Sequence, residues 1–210
     1  MKKITAIKQG KGQRRRVNVF LDGRFAFSLE AEVALREGLR VGQELAPGQI
    51  EALAKSDQFQ RCLNAALGYL SYRPRSQSEL KERLGRRGFD GDDIAAVLGR
   101  LKEMGLVDDV SFAQFWRDNR QSFRPRSQRL TRLELRRKGV AEEIIDQTVS
   151  QVDDADSAYQ AALGKARRLP RSDYQGFRRR LGEYLRRRGF DYGVISHTVN
   201  RLWQEQEERV

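Results

Sequence analysis

Arg73-Pro74-Arg75-Ser76 returns further along the chain as Arg124-Pro125-Arg126-Ser127. How that repeated tetrapeptide is read decides the fold. After each copy comes an arginine-rich segment with apolar residues at helical spacing, then a glycine, then a second segment of the same periodicity. Pro74 and Pro125, Leu84 and Leu135, Gly88 and Gly139, and Ile94 and Ile145 are all displaced by 51 residues. A constant displacement over that distance marks a duplicated supersecondary unit. A third, diverged copy follows, because Leu185-Arg186-Arg187-Arg188-Gly189-Phe190 matches Leu84-Gly85-Arg86-Arg87-Gly88-Phe89 and Ile195 matches Ile94. Pro170 stands five residues further from its leucine than Pro74 does, so the third copy has a longer connection or a longer second helix.

Each copy reads as three helices. In the first, Leu63, Ala66, Leu67 and Leu70 form one apolar face, and the helix stops before Pro74 because the residue ahead of a proline disfavours the helical region. Ser76 with Glu79 predicts a capping box opening the second helix, whose stripe is Leu80 and Leu84 and whose C-terminal cap is Gly88. Asp90 caps a third helix carrying Ile94, Val97, Leu98, Leu101 and Met104. The second copy repeats this from about Ser111, with Phe112, Phe115 and Trp116, then Ser127 as cap, then Leu130, Leu135, Ile145, Val149 and Val152. Thr131 stands where the other copies have Leu80 and Leu181, which predicts a looser interior or a rotated second helix. In the third copy Ser172 with Gln175 predicts another capping box, ahead of Phe177, Leu181 and Leu185.

The first 56 residues differ from the rest. Ile4 to Ile7 and Val17 to Leu21 alternate like strands, Asp22-Gly23 is a hairpin turn, and Phe25, Phe27 and Leu29 return. This predicts three antiparallel strands, then a helix from Glu30 to Glu37 ended by Gly38, and a short helix from Pro47 through Ala54. The basic loop from Lys8 to Arg16, with Gly10 and Gly12, is either a phosphate-contacting tip or a solvated connection. The expected fold is mainly α: three tandem three-helix, helix-turn-helix-like repeats in an elongated array, preceded by a small N-terminal antiparallel β-sheet module. Boundaries are expected at 1–56, 57–108, 109–156 and 157–210. Units of about fifty residues bury too little apolar surface to stand alone, so neighbouring copies should share interfaces.

Charge narrows the function. The 210 residues carry 41 Lys and Arg against 29 Asp and Glu, a net charge of +12. Such a field draws phosphate polymers and anionic surfaces. The positive residues gather on the second helix of every copy: Arg73, Arg75, Arg83 and Arg86; Arg124, Arg126, Arg129, Arg132 and Arg136; Arg178, Arg179, Arg186 and Arg187. Acidic residues fall elsewhere, at Asp108-Asp109, Glu142-Glu143, Asp153-Asp154 and the tail Glu205, Glu207 and Glu208. One basic element in three copies is read as a positive track for phosphate. Neutralising about 5 phosphates would give a salt slope near −3.5 on single-stranded DNA.

Catalysis has little to work with. His197 and Cys62 are the only residues of their types, which rules out a metal site built from those residues and an internal disulfide, and a single cysteine fits a reducing cytosol. Asp108-Asp109 and Asp153-Asp154 sit where one copy gives way to the next and are read as helix caps rather than Mg²⁺ ligands. No phosphate-binding GxxxxGK[ST] or GxGxxG loop occurs, so ATP hydrolysis, cofactors and metals are not expected. No signal peptide or membrane span is read from the chain, which points to the cytoplasm.

Gly105-Leu106-Val107-Asp108-Asp109, Phe112-Ala113 and Glu134-Leu135-Arg136-Arg137-Lys138-Gly139-Val140 together resemble the signature of the RecX regulatory proteins, bacterial modulators of the RecA recombinase. Tyr72-Arg73-Pro74-Arg75-Ser76 with Glu79-Leu80 and Leu84 is similar to that family's first repeat, and Leu21-Asp22-Gly23 with Phe25 to Ser28 to the N-terminal extension of its longer members. The resemblance implies three tandem three-helix repeats, no catalysis, and a protein that enters the groove of the RecA filament on single-stranded DNA and curbs filament growth and strand exchange; a monomer is expected. Two other readings remain open from the residues: a helix-turn-helix regulator of transcription on duplex DNA, and a Mg²⁺ nuclease.

Overall fold

A computed structural model describes residues 1–10, 13–170 and 172–207; Gly12 and Glu208, both named above, lie outside them. The chain opens with β1 (Lys2–Gly10), β2 (Gln13–Leu21), β3 (Arg24–Glu30), α1 (Ala31–Arg36) and β4 (Glu44–Leu45). Helices follow: α2 (Pro47–Leu70), α3 (Gln77–Arg86), α4 (Gly91–Glu103), α5 (Asp109–Phe123), α6 (Gln128–Arg137), α7 (Glu142–Val149), α8 (Asp154–Ala166), α9 (Tyr174–Arg187) and α10 (Tyr192–Glu207). The protein is thus mainly helical, with three three-helix repeats after an antiparallel sheet. It packs as two compact units, one of Met1–Arg73 with Leu80–Leu106, the other of Pro74–Glu79 with Val107–Val210.

In the first unit the strand order is β3-β2-β1-β4, all antiparallel. The expected three strands gain a fourth, because Glu44 and Leu45 pair with Lys3 and Lys2 and bring Leu45 into the core. Asp22 (φ 50°) and Gly23 (φ 82°) form the two-residue turn with both φ angles positive whose twist matches a hairpin. Most of the stretch expected as a basic loop is strand, since β1 reaches Gly10 and β2 starts at Gln13. Ile4, Val19, Leu21, Leu29 and Leu45 bury one face of the sheet, and Leu53 of α2 closes it. Each such side chain contributes about 1.5–3 kcal/mol.

Helix α2 departs furthest from expectation. The helix expected to end at Ala54 runs on to Leu70, 24 residues in all, so the junction between 56 and 57 lies inside it. Lys55-Ser56-Asp57-Gln58 is polar, yet Asp57 is buried and paired. Its carboxylate accepts from the Glu30 amide at 2.6 Å and from Arg16 Nη2 at 3.2 Å. Gln60, also buried, donates to Glu32 and Asn64 and accepts from Arg36. The buried face further on is Cys62, Ala65 and Ala66, while Leu63, Leu67 and Leu70 are half-buried.

The second unit holds two repeat cores. Phe112, Ala113, Leu135, Val140, Ile145 and Val149 form one. The other has Phe177, Leu181, Leu185, Phe190, Val199 and Leu202 packed on the alanines of α8. Both alternatives for the third copy hold, because α9 has 14 residues against 10 in α6, and its connection is longer as well. The cap of α9 is Asp173 rather than Ser172: Asp173 Oδ1 accepts from the Gly176 amide at 2.8 Å. A Cβ at position 176 would lie 2.0 Å from Asp173 Oδ2, so any other residue there would make the capping carboxylate shift. Thr131 is fully buried, and its hydroxyl has no hydrogen-bond partner among the described residues.

Candidate nucleic-acid interface

The second helices α3, α6 and α9 start at side-chain caps and end in arginine. Ser76 Oγ accepts from the Glu79 amide at 3.1 Å, and Ser127 Oγ from the Leu130 amide at 3.2 Å. The serine of the capping box expected at Ser76 thus plays its part, and Glu79 Oε1 also receives Lys138 Nζ at 2.6 Å. Arg83 and Arg86, Arg136 and Arg137, and Arg186 and Arg187 occupy the last turns, where the partial negative charge of the helix end favours cations.

The thirteen arginines singled out by sequence fall into three groups. Arg75 is only 8% exposed and sits inside the second unit, and Arg73 is half-buried. A second group is exposed or half-exposed but already engaged. Arg86 pairs with Glu82, Arg83 stacks 5.5 Å from the Tyr69 ring, and Arg126 pairs with Glu134. Arg132 reaches Glu142 at 2.9 Å and also Asp146, and Arg136 reaches Glu142 at 2.7 Å. The third group, Arg124, Arg129, Arg179, Arg186 and Arg187, is exposed and makes no ion pair with a described residue. Arg178 is also exposed and donates to Tyr192 Oη at 3.2 Å.

The acids expected to lie away from the track therefore reach it in the second repeat. The hydrogen bond from Arg136, followed by that from Arg132, holds the Glu142 carboxyl below its usual range. Asp146 first, then Glu142, raises Arg132, and Glu142 raises Arg136. In the third repeat Arg178, Arg179 and Arg186 instead line a groove of about 410 Å³ between α9 and α10, with Tyr192 and Asn200 opposite. Its guanidinium groups face solvent, which suits phosphate or carboxylate on an incoming partner.

Glu134, which sequence reading placed only within a motif, is a hub. Its carboxylate accepts from Trp116 Nε1 at 2.8 Å, from Arg120 Nε at 2.8 Å and from Arg126 Nη1. Arg120 and Lys138 lie against the Trp116 ring, at 4.5 and 4.3 Å from its centroid. Burial, and then the charges of Arg120, Arg188 and Arg124, lower the Arg126 pKa. Arg120 and Arg126 thus share one carboxylate, with Arg124 and Arg188 near enough to act on Arg126 by charge.

The aspartate doublets divide their work. Asp108 caps α5 through the Val110 and Ser111 amides, and Asp153 caps α8 through Ala155 and Asp156, as the sequence predicts. The second member of each doublet reaches backwards: Asp109 Oδ1 accepts from the Gln77 amide at 2.9 Å and Asp154 Oδ1 from Gln128 at 2.7 Å. Burial raises the Asp154 pKa, against the lowering effect of that amide. Two further contacts join equivalent places of successive copies. Ser76 Oγ donates to Lys138 O at 2.6 Å, and the Ser127 amide donates to Arg188 O at 3.1 Å. Gly139 and Gly189 (φ 70° and 89°) permit the approach, because a Cβ there would lie 2.3 Å from Ser78 Cβ and 2.5 Å from Ser127 Oγ. The doublet itself, written twice, was the sequence signal for this joint.

Among the described residues no three His, Cys, Asp or Glu side chains come together as a metal site, and no helix is long and apolar enough to cross a membrane. His197 is exposed on α10. Burial, then Asp93 and Asp90, push the Cys62 thiol up to about 11.

Comparison with known proteins matches the chain along most of its length. Residues 2–46 match the model for the regulatory protein RecX N-terminal domain, and 62–101, 108–149 and 152–199 match those for the first, second and third three-helix domains of RecX. The regulatory protein RecX of Clostridium perfringens (strain 13 / Type A) is 30% identical over 207 residues, covering 96% of this chain and 97% of that one. That of Bacillus subtilis (strain 168) is 29% identical over 211 residues, covering 98% and 79%. A crystal structure of regulatory protein RecX superposes with a TM-score of 0.69 at 27% identity, covering 95% of this chain and 100% of that one. RecX from Lactobacillus salivarius shares the fold with a TM-score of 0.60 at 23% identity, covering 70% and 97%.

Proposed function

From the premise that this chain belongs to the RecX family of regulatory proteins, we propose that it binds the RecA nucleoprotein filament and its DNA and inhibits recombinase activity in homologous recombination and DNA repair. The observation that carries this reading is the exposed set Arg179, Arg186 and Arg187 on α9, none of them in an ion pair with a described residue, beside a groove of the third repeat lined by arginines and one acid, Glu183. Those groups meet phosphates or acidic protein surface along the filament, and contacts spread over several repeats add avidity without a deep pocket. The protein acts in the cytoplasm as a non-enzymatic monomer. Sequence reading spread the contact over thirteen arginines. The pairing pattern supports a larger share for the third repeat, because Arg126, Arg132 and Arg136 must first give up Glu134, Glu142 and Asp146.

The test adds the protein to RecA filaments on single-stranded DNA with ATP and follows ATP hydrolysis and filament length. Both fall with the parent chain, and the effect is largely lost with Arg179→Gln, Arg186→Gln and Arg187→Gln together. Filaments indifferent to the parent chain refute the function, and an unimpaired triple variant refutes the assignment to α9.

A further inference from the structure

The first unit contains a cleft that none of the second-helix arginines discussed above lines. It measures about 1110 Å³ and lies between the N-terminal sheet, the outer face of α2 and the turn after α3. Arg15 and Arg16 come from β2, Arg61 from α2 and Arg87 from beyond α3. One carboxylate, Glu30, shares the cleft, and Arg16 holds it at 3.2 Å. Arg15, Arg61 and Arg87 are exposed and form no ion pair with a described residue.

Aromatic rings are interleaved with these cations. Tyr69, Tyr72 and Phe89 line the same cleft, and Tyr72 is 86% exposed. An aromatic ring left in water costs stability unless it covers something. Between the rings Gly68 leaves the floor open: a Cβ there would meet nothing within 4 Å. Asn64 adds a hydrogen-bonding amide.

We propose that this cleft is a binding site for a short segment of single-stranded nucleic acid, with Arg15, Arg61 and Arg87 on its phosphates and an unpaired base stacked on Tyr72. Cations that track a backbone beside rings that take bases are the chemistry by which single strands are held without sequence preference. A duplex satisfies the cations but offers Tyr72 no free base face. An acidic peptide does the same. The site is distinct from the α9 surface, so a chain inert toward filaments can still possess it.

The experiment measures fluorescence anisotropy of a labelled 12-mer of thymidylate with the full-length chain between 50 and 200 mM salt. Tyr72→Leu weakens binding about fivefold to a hundredfold at every salt concentration and leaves the salt slope unchanged, because stacking is lost and charge is not. Arg61→Gln with Arg87→Gln flattens the slope by about 1.4, two phosphates at about 0.7 each. Gly68→Met fills the cleft without altering charge, in a helical site with room for the side chain, and also weakens binding. Circular dichroism confirms that each variant is folded. Three outcomes each overturn the proposal: Tyr72→Leu and Gly68→Met binding like the parent, an abasic 12-mer binding as tightly as the thymidylate, or a glutamate 12-mer displacing it as well as unlabelled thymidylate does.

Discussion

Replacing Glu142 by Gln together with Asp146 by Asn should make the protein a stronger and more salt-sensitive DNA binder. These two carboxylates are the ion-pair partners of Arg132 and Arg136 among the described residues. At pH 7 Glu142 is charged, since its pKa is held below the ordinary carboxylate range by Arg136 and Arg132. Neutralising both acids releases two guanidinium groups on the solvent side of α6. Each newly available cation adds about 0.7 to the slope of log affinity against log salt on a single strand. The slope should therefore steepen by about 1.4, from near −3.5 to near −4.9. Between 50 and 200 mM salt the variant's affinity should fall about sevenfold more than the parent's, with the gain concentrated at low salt. Anisotropy titrations of a labelled oligothymidylate at four salt concentrations measure this. The control moves the same two charges elsewhere, with Glu44→Gln and Glu51→Gln, exposed residues that form no ion pair with a described residue. A slope unchanged within about 0.3, or a control that steepens as much as the test variant, refutes the reasoning that α6 is held back by its own acids.

Other consequences concern stability and reactivity. Glu134→Ala strands Arg120, Arg126 and Trp116 Nε1 in a partly buried setting, and should cost about 3 kcal/mol. In thermal melts that is roughly 10 °C in the transition of the second unit, with Glu134→Gln losing less; equal midpoints for parent and Ala variant would contradict it. Thr131→Val removes a buried hydroxyl without a partner and should stabilise by about 1 kcal/mol in urea unfolding; a loss of stability would show that the hydroxyl is satisfied in solution. Cys62 is fully buried with its thiol raised from 9.0 to about 11. The folded chain should resist alkylation at pH 8 until urea opens the first unit. The sign for stability follows: the unfolded thiol ionises first, so this group's contribution is intact below pH 9 and lost as pH rises from 9 to about 11.

The local signals in the sequence were the legible ones. A repeated proline, a glycine at the end of each second helix and the Asp22-Gly23 turn all act within a few residues, and each stands where expected. The continuity of α2 was hidden because a polar run normally marks a joint, whereas Asp57 and Gln60 are buried by partners 24 to 41 positions away. The state of the arginine track was hidden for a related reason. That α6 is basic can be counted; that Glu142 folds back onto Arg132 and Arg136 depends on the angle of the turn at Gly139. Ser172 and Asp173 are both good caps, and only the backbone decides between them.

The backward-reaching joints give the array a direction. The first turn of α3 rests on the closing carbonyls of α6, and the first turn of α6 on those of α9. Each of these helices thus has two supports at its start: a local cap in Ser76 or Ser127, and a carbonyl from a part of the chain that a ribosome makes later. A chain cut short before α9 should therefore keep the Ser127 cap of α6 but lose its second support at Arg188.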